Sequence, residues 1–249
     1  MIELLTIVVP VRNEAQNIGP LFEQLARDVM TRSEVLIVYD TDTDPTVAAA
    51  RSKASSAPFD VRLIRNSFGS GPANALRAGF DAARGDAVVV VMADLSDQLT
   101  VIDRMILRMN DGADLVAGSR YVRGGRQDGG PFLKGILSRT AGVSLRVASG
   151  LPTYDATNAF KMYRTSHLRA LRIDSSHGFE ISMEITVKGW LAGWRIDELP
   201  AIWTDRVAGS SKFQLWRWLP RYLHWYFYAL KNSLLKRIFR RRMLGKKAG

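Results

Sequence analysis

The stretch that most constrains this chain runs from Asp86 to Asp97 and reads Asp-Ala-Val-Val-Val-Val-Met-Ala-Asp-Leu-Ser-Asp. Its four consecutive valines predict a strand buried on both faces of a parallel sheet. Loops at the carboxyl ends of such strands open into the crevice where α/β proteins bind ligands, and Asp94 and Asp97 follow this strand at once. Carboxylates suit a hard divalent cation, but Asp94 and Ser96 would also suit a helix N-cap, so both interpretations stay open.

The rest of the chain alternates between strand and helix patterns. Apolar runs predict strands at 4–11, 34–39, 61–66 and 114–118, and an edge strand over 194–203, since proline in a strand is tolerated mainly at an edge. Helices are predicted from Gly19-Pro20 onward, because proline suits the first helical position, and over 46–52, 132–148 and the segment after His177. The glycine-rich residues 123–130 are expected to form a flexible loop. The predicted fold class is α/β, with a Rossmann-like, mostly parallel sheet flanked by helices and a C-terminal amphipathic helix.

Composition limits the chemistry. A chain of 249 residues with 47% hydrophobic content can bury a full core, and the absence of cysteine excludes disulfides and thiolate metal sites. The three histidines are too scattered for a zinc site, so any metal would be held by oxygen. The N-terminus has no basic leader, and no apolar run reaches the roughly 18 residues of a membrane span. We therefore expect a protein that is not secreted and has no transmembrane segment.

The net charge of +11 is concentrated at one end of the chain. Residues 206–249 contain 12 of the 35 Lys and Arg and no acid, which leaves 23 basic against 24 acidic residues in 1–205. A neutral body argues against nucleic-acid binding, for which a basic face of the domain is expected. A basic tail that contains Trp and Tyr fits an anionic membrane surface at least as well as nucleic acid.

The tail itself has a helical pattern. Apolar residues recur every three or four positions at Trp216, Leu219, Leu223, Phe227, Leu230, Leu234 and Ile238, with basic residues on another face. This predicts a basic amphipathic helix, kinked or restarted at Pro220. We assign 1–213 to the α/β domain and 214–249 to a membrane-interface tail. The alternative is a helix packed on the body or on a second subunit.

Polar residues also follow other predicted strands. Three alternate acids after the second strand suit a base or ribose, although Asp and Thr beside proline are ordinary turn residues: Asp40, Asp42 and Asp44. After the third strand, Gly69 and Gly71 let the backbone approach a ligand. Their spacing is not the Gly-x-Gly-x-x-Gly of a dinucleotide fold, because Asn74 holds the last position. A redox enzyme is therefore disfavoured.

Several short motifs occur in a fixed order along residues 5–213. They are Val9-Pro10-Val11-Arg12-Asn13-Glu14, Asp40, Gly69-Ser70-Gly71, Ala93-Asp94-Leu95-Ser96, Gly118-Ser119-Arg120-Tyr121, Asp155 to Phe160, Asp205-Arg206 and Gly209-Ser210-Ser211-Lys212. In this order they resemble the motifs of inverting family 2 glycosyltransferases of the GT-A fold. Within that family the resemblance is to the dolichyl-phosphate mannosyltransferase and polyprenyl-phosphate sugar transferase group.

The resemblance implies roles for the matching residues. The nucleotide sugar would be bound by Pro10, Val11, Asn13, Glu14, Asp40, Asp42, Gly71, Ala93 and Asp94. Asp94 would bind Mg²⁺ or Mn²⁺ on the diphosphate, and Arg120 would lie near the sugar or acceptor. Arg206 and Lys212 would hold phosphate groups from a mobile loop. Such cations would stabilise the negative charge that grows on the leaving diphosphate.

Two positions depart from the family pattern. The Asp-x-Asp motif is Met92-Ala93-Asp94 here, so its first carboxylate is lost, and a thioether is a poor ligand for a hard cation. Asp97, or the donor's phosphates with water, would have to complete the coordination; otherwise metal dependence is weak. The paired acids usual at the second strand end become Tyr39-Asp40.

The implied activity is inverting transfer of a sugar from a UDP- or GDP-sugar to a membrane-associated acceptor, with a polyprenyl phosphate favoured. A phosphate oxygen is already anionic and needs no strong base, whereas a hydroxyl acceptor needs a carboxylate to take its proton. Glu184 and Asp155 are the candidate bases, although a Glu on a helix face also suits an ion pair.

Other functions stay open. They are a glycosyltransferase with a saccharide or other hydroxyl acceptor, a catalytically inactive nucleotide-sugar-binding homologue, and a basic nucleic-acid-binding module. We expect a peripheral protein on the cytoplasmic face of the membrane, with homo-oligomers possible.

Overall fold

Strands and helices alternate along the chain in the computed structural model, which describes residues 1–205 and 215–245. The strands are β1 (Leu5–Val11), β2 (Ser33–Tyr39), β3 (Asp60–Arg65), β4 (Ala87–Val90), β5 (Leu115–Ser119), β6 (Arg126–Asp128), β7 (Lys161–Arg164), β8 (Ile196–Pro200) and β9 (Ile202–Thr204). The helices are α1 (Ala15–Asp28), α2 (Pro45–Ala54), α3 (Pro72–Ala82), α4 (Ile102–Asn110), α5 (Phe132–Ser149), α6 (Thr165–Ala170), α7 (Glu180–Leu191) and α8 (Leu215–Gly245), and a 3-10 turn (Leu99–Val101) precedes α4.

Seven of the strands form one sheet in the order β3-β2-β1-β4-β7-β5-β8. Neighbouring strands are parallel except at β7, which is antiparallel to both β4 and β5. The chain runs outward from β1 to β2 and β3, then returns to place β4 on the other side of β1. An open α/β sheet binds its ligands at such a reversal, beyond the carboxyl ends of the strands. A separate parallel pair joins β6 to β9.

The central strands are buried because helices cover both faces of the sheet. Every residue of β1 and β4 is buried. Ile7 and Val9 belong to the core under α1, α2 and α4, whereas Val8 and Val88 belong to the core under α3 and α7. Alternate residues of one strand thus serve opposite faces, which explains the apolar runs without alternation. The predicted mostly parallel α/β sheet is confirmed.

The predicted start of α1 was wrong. The helix begins at Ala15, four residues before Gly19, and Pro20 lies inside it. The Asn17 N–H donates to the Glu14 carbonyl oxygen at 2.9 Å and closes the first turn. Proline at position 20 forfeits one intrahelical hydrogen bond, but packing of the buried face outweighs this loss.

Two further boundaries differ from the sequence prediction. The stretch 123–130 is not wholly a loop, because it contains β6. The predicted edge strand at 194–203 divides into two strands. Its first part, β8, is the edge of the main sheet and ends at Pro200, whereas its second part, β9, pairs with β6. The division occurs at Ala201, whose N–H donates to the Ser119 carbonyl oxygen at 3.0 Å.

The first half of α8 packs on the α/β domain. Trp225, Ala229 and Ser233 are buried against α5 and α7. Trp225 Nε1 donates to Ser175 Oγ at 3.1 Å. This is the alternative arrangement considered for the tail, and it makes this half of α8 part of the folded core.

Only part of the apolar stripe predicted for α8 faces the core: Leu230 packs against the buried cluster around Trp225, whereas other members of the stripe are exposed. Leu223, Phe227 and Leu234 are 41%, 61% and 60% exposed. The helix continues through Pro220 without restarting. The predicted domain boundary at 213/214 lies outside the described residues and stays a prediction. None of the helices in the described ranges has the length and apolar character needed to cross a bilayer.

Candidate active site

A cleft of about 370 Å³ opens at the carboxyl ends of the central strands. Its polar part is lined by the loops that follow β1, β2 and β4, among them Glu14, Asp40 and Asp94. Its apolar part is lined by α5, α7 and α8, with Leu137, Ala141, Phe179, Met183, Trp218, Leu219, Tyr222 and Leu223. The cleft therefore joins a site for polar groups to a site for an apolar ligand.

Asp40 shapes the glycine loop that borders the polar part. Its carboxylate accepts hydrogen bonds from Asn66 Nδ2 (2.8 Å), Ser70 Oγ (2.7 Å) and the Gly71 N–H (3.1 Å). Gly71 has a φ of 123°, and a Cβ there would lie 3.0 Å from the His177 carbonyl oxygen. Glycine is therefore required at this position. Both residues line the cleft and are joined by this hydrogen bond.

The loop after β1 is fixed by the start of α2. Asn13 has a left-handed φ of 58°, and its N–H donates to Asp44 Oδ2 at 2.9 Å. Asp44 also caps α2 by accepting from the Thr46 N–H at 2.8 Å. The Glu14 N–H donates to Thr46 Oγ1 at 2.8 Å, and Glu14 Oε2 accepts from Asn17 Nδ2 at 2.6 Å. These bonds hold Glu14 on the cleft wall.

Asp94 and Ser96 line the cleft directly after β4. They lie in a tight turn in which Leu95 has a φ of 61°, and Asp94 Oδ1 accepts from the Ser96 N–H at 3.2 Å. The Ser96 hydroxyl oxygen is buried and has no hydrogen-bond partner within 1–205 and 215–245. A buried, unsatisfied oxygen is costly, so a ligand of this hydroxyl is expected.

Asp97 is not one of the residues that line the cleft, and its role as a metal ligand stays a prediction. It is 5% exposed, and its Oδ2 accepts from the Met92 N–H at 3.3 Å. Burial and the neighbouring Asp94 carboxylate raise the pKa of Asp97 to about 7. Met92 lines the cleft in place of a carboxylate. The described parts of the chain hold no group of three or more His, Asp or Glu side chains suited to a metal ion.

Arg120 is held on the cleft wall by several hydrogen bonds. Its Nε and Nη2 donate to Asp155 Oδ2 (2.7 Å) and Oδ1 (2.8 Å), and Nη2 also donates to Ser138 Oγ (3.0 Å). Burial opposes the charge of both partners, but their mutual attraction outweighs this effect. Arg120 lowers the pKa of Asp155, and Asp155 raises the pKa of Arg120. Arg120 thus keeps its charge in a site with little water.

Glu184 is a structural anchor and does not line the cleft. It is fully buried; its Oε1 accepts from the Asp174 N–H (2.6 Å) and its Oε2 from the Ser175 N–H (2.7 Å). Lys188 Nζ lies 2.6 Å from Oε1, four residues along α7. Asp155, the other candidate base, has both oxygens on Arg120. The structure therefore supports neither as a proton acceptor.

The remaining predicted residues divide into three groups. Pro10 and Val11 line the cleft at the end of β1. Ala93 is buried beside Asp94, and Asp42 is exposed and lies 3.4 Å from Arg65; neither is on the cleft wall. Arg206 and Lys212 lie outside the described residues, so their roles stay predictions.

Sequence reasoning missed several cleft residues. Ser138 on α5 contacts Arg120, and Trp218 and Tyr222 on α8 close the apolar part. Trp218 and Tyr222 are one helical turn apart and so lie on the same face of a helix. That spacing was a usable sequence signal, although neither residue belongs to the apolar stripe predicted for α8. Ser138 gave no signal, since a lone serine in a helix has no distinctive pattern.

Sequence comparison identifies the class of protein. Residues 6–172 match the sequence profile of Glycosyl transferase family 2. An undecaprenyl-phosphate mannosyltransferase from Micrococcus luteus is 33% identical over 82% of this chain and 85% of its own. The chain belongs to glycosyl transferase family 2, as its motifs predicted.

Two other proteins extend the comparison. A dolichol-phosphate mannosyltransferase from Pyrococcus furiosus is 29% identical over 88% of this chain, which spans 64% of that relative's length. A mannosyltransferase from Pyrobaculum calidifontis, solved with GDP-Man and Mn²⁺, superposes with a TM-score of 0.62 at 19% identity over 94% of this chain and 73% of its own. The structural likeness confirms the predicted GT-A fold.

Proposed function

We propose that this protein transfers a sugar from a nucleotide sugar to a polyprenyl phosphate, with inversion at the anomeric carbon. The observation that carries this proposal is the composite cleft, in which a polar part at the strand ends meets an apolar part between α5, α7 and α8. A nucleotide sugar is polar except for the faces of its base, so the large apolar part of the cleft is left for another ligand. The curated relatives named above are mannosyltransferases that act on lipid phosphates by name.

The polar part fits the nucleoside diphosphate. The glycine loop held by Asp40 brings backbone close to the cleft, and the Gly71 position admits no side chain. Glu14 and Asp40 supply hydrogen-bond acceptors for the hydroxyl and amino groups of a nucleoside. The sugar would then lie between this loop and Arg120. The base and the sugar themselves are not specified by these contacts.

The cleft also fits a divalent cation on the donor diphosphate. Asp94 supplies a carboxylate, and the Ser96 hydroxyl, which has no hydrogen-bond partner among the described residues, supplies a second oxygen. Oxygen ligands of this kind suit Mg²⁺ or Mn²⁺. When bound, the cation would neutralise charge on the diphosphate. With one protein carboxylate, affinity for the metal alone should be weak and should rise with the donor present.

A phosphate nucleophile agrees with the state of the candidate bases. Both oxygens of Glu184 and both of Asp155 are engaged in hydrogen bonds or ion pairs. A phosphate oxygen of the acceptor needs no deprotonation, so it attacks the anomeric carbon directly while the bond to the leaving diphosphate breaks. Arg120, with Ser138 beside it, would hold the acceptor phosphate.

The apolar part of the cleft continues into an exposed apolar surface on two helices. On α5, Phe132, Leu133 and Ile136 are 81%, 52% and 44% exposed, and on α8 Phe227 is 61% exposed. Exposed apolar patches mark interaction sites, and the sequence from 236 to 242 is rich in Lys and Arg. We propose that this surface rests on an anionic membrane, with the apolar cleft open to the lipid. The cytoplasmic face is proposed because nucleotide sugars are made in the cytoplasm.

Donor binding tests the first half of the proposal. Thermal shifts with UDP- and GDP-sugars, with and without Mn²⁺, should reveal at least one stabilising donor whose effect increases with the metal. Product analysis with polyprenyl phosphate and with a sugar alcohol tests the second half. Label in the sugar alcohol alone would favour the hydroxyl-acceptor alternative, and no stabilising donor at all would contradict a transferase.

A further inference from the structure

Lys161 is a fully buried lysine that the reaction described above does not use. It begins β7, in the middle of the sheet. Its Nζ donates to the Ala156 carbonyl oxygen (3.1 Å), to Ser182 Oγ (3.0 Å) and to the Asn158 carbonyl oxygen. Ser182 Oγ in turn donates to the Asn158 carbonyl oxygen at 2.7 Å, so it has a free lone pair for the lysine.

Two of the three acceptors belong to one turn of the chain, residues 155–159, and the third, Ser182, lies on α7. This turn carries Asp155, the partner of Arg120, and its residues Thr157, Asn158 and Ala159 line the cleft. Asn158 Nδ2 also donates to the Gly118 carbonyl oxygen at 2.8 Å, two residues before Arg120. Lys161 thus connects the turn to the sheet through buried hydrogen bonds.

We propose that Lys161 is a positioning residue for the acceptor: its ammonium group fixes the turn at 155–159 and, through Asp155, the orientation of the Arg120 guanidinium. This inference rests on the proposed function, because it assigns to Arg120 the phosphate of the acceptor. The donor loops at Asp40 and Asp94 are held by other contacts and are independent of Lys161.

The number of hydrogens on Nζ matters for this role. An ammonium has three N–H donors for three acceptors, whereas a neutral amine has two and leaves one of the three oxygens without a hydrogen bond from Nζ. The charged groups that act on Lys161 are Asp155 from the turn, Arg120 after β5 and Glu198 on β8. Burial lowers the pKa of Lys161 to about 7, although the two carboxylates oppose this. Nζ therefore makes all three hydrogen bonds below neutral pH and loses one of them above it.

The test is the affinity for a water-soluble short-chain polyprenyl phosphate, measured by calorimetry for the wild type, Lys161→Met and Ser182→Ala. The ratio of wild-type to variant affinity cancels the ionisation of the ligand itself. For Lys161→Met we expect a ratio of about ten near pH 6, which becomes smaller near pH 8.5, where the wild-type amine is neutral and keeps only two of its three bonds. Affinity for the donor diphosphate should stay within about twofold. Lys53→Met, an exposed substitution on α2, is the matched control and should match the wild type at every pH.

Three results would overturn the inference. They are a Lys161→Met ratio that does not depend on pH, a ratio near one throughout, and a parallel loss of donor and acceptor affinity, which would indicate general disruption. If Lys161→Met does not fold, Ser182→Ala is the deciding variant. Because it removes one hydrogen-bond acceptor of the ammonium, the fall in affinity for the polyprenyl phosphate at alkaline pH should move to lower pH. An unchanged pH profile overturns the inference. Absence of acceptor binding by the wild type would contradict the proposed function itself, and the role assigned to Lys161 with it.

Discussion

The guanidinium of Arg120 meets the carboxylate of Asp155 in a two-point contact, with Nε–Oδ2 and Nη2–Oδ1 distances of 2.7 and 2.8 Å. Both side chains are at least nine-tenths buried, and the Arg120 N–H adds a third bond to Oδ2 at 3.1 Å. The pair therefore fixes a cation at the junction of the polar and apolar parts of the cleft. Two-point contacts of this kind are oriented as well as strong.

Removing the carboxylate should cost stability and activity together. Asp155→Asn leaves the Arg120 charge buried without its partner, so we expect a loss of about 3–5 kcal/mol in the free energy of unfolding, measured by urea denaturation. Because the pKa of Asp155 is lowered, the pair stabilises the fold above the ordinary carboxyl range near ~4, and this contribution is lost as the pH falls below it. The stability of the variant should lack this contribution to the pH dependence below about pH 4. Equal stability of the two proteins at neutral pH would contradict the account.

Removing the anchor of the glycine loop should affect the donor alone. Asp40→Ala deletes the acceptor of three hydrogen bonds to Asn66, Ser70 and Gly71. We expect about tenfold weaker binding of the nucleotide sugar in calorimetry, with acceptor affinity unchanged. Asp60→Ala, an exposed change on β3, is the control. Unchanged donor affinity in Asp40→Ala would remove this loop from the donor site.

Glu184 should behave as an anchor and not as a base. Glu184→Gln weakens the acceptor of the Asp174 and Ser175 N–H groups and breaks the ion pair with Lys188. We expect a loss of about 1–3 kcal/mol in the free energy of unfolding. The pH dependence of kcat/KM, measured below the melting range, should keep its wild-type shape. Loss of one limb of that profile would return Glu184 to the catalytic role predicted from sequence.

The exposed face of α5 should carry part of the membrane affinity. The double substitution Phe132→Ser and Leu133→Ser removes two exposed apolar side chains that would otherwise enter the lipid, each worth up to about 1.5–3 kcal/mol. Binding to anionic vesicles in co-sedimentation should fall at least about tenfold. Leu107→Ser on α4, where the leucine is 63% exposed, is the matched control and should bind like the wild type. Equal binding by the double variant would shift the membrane contact away from α5.

The sheet was predictable because its signal is local. An apolar run such as Val88–Val91 is buried whatever its neighbours are, and the polar residues after it must lie at the carboxyl edge of the sheet. Asp40 and Asp94 were selected for this reason, whereas Arg120 was selected from the family resemblance. The start of α1 was missed because Pro20 is a weak barrier once tertiary packing favours the helix.

The buried polar contacts were not predictable from one sequence. Glu184 carries the residue type of a base, but the N–H groups of Asp174 and Ser175 occupy both of its oxygens. Asp97 carries the residue type of a metal ligand, but it is buried and its Oδ2 accepts from the Met92 N–H. The face of α8 that packs inward was also not predictable from the sequence. Trp225 and Ala229 bury that face, whereas the more regular stripe of Leu223 and Phe227 stays exposed, because α5 and α7 determine which side is covered.

The central claim is transfer of a sugar from a nucleotide sugar to a polyprenyl phosphate through the cleft at Asp94 and Arg120. The most direct measurement follows a labelled sugar from the stabilising donor into the lipid fraction, for the wild type and Asp94→Ala, with Asp60→Ala as control. We predict label on the polyprenyl phosphate with the wild type and the control, and a rate lower by at least about a hundredfold with Asp94→Ala despite a wild-type melting temperature. No label in the lipid with any donor that binds, or transfer by Asp94→Ala at the wild-type rate, would contradict the account.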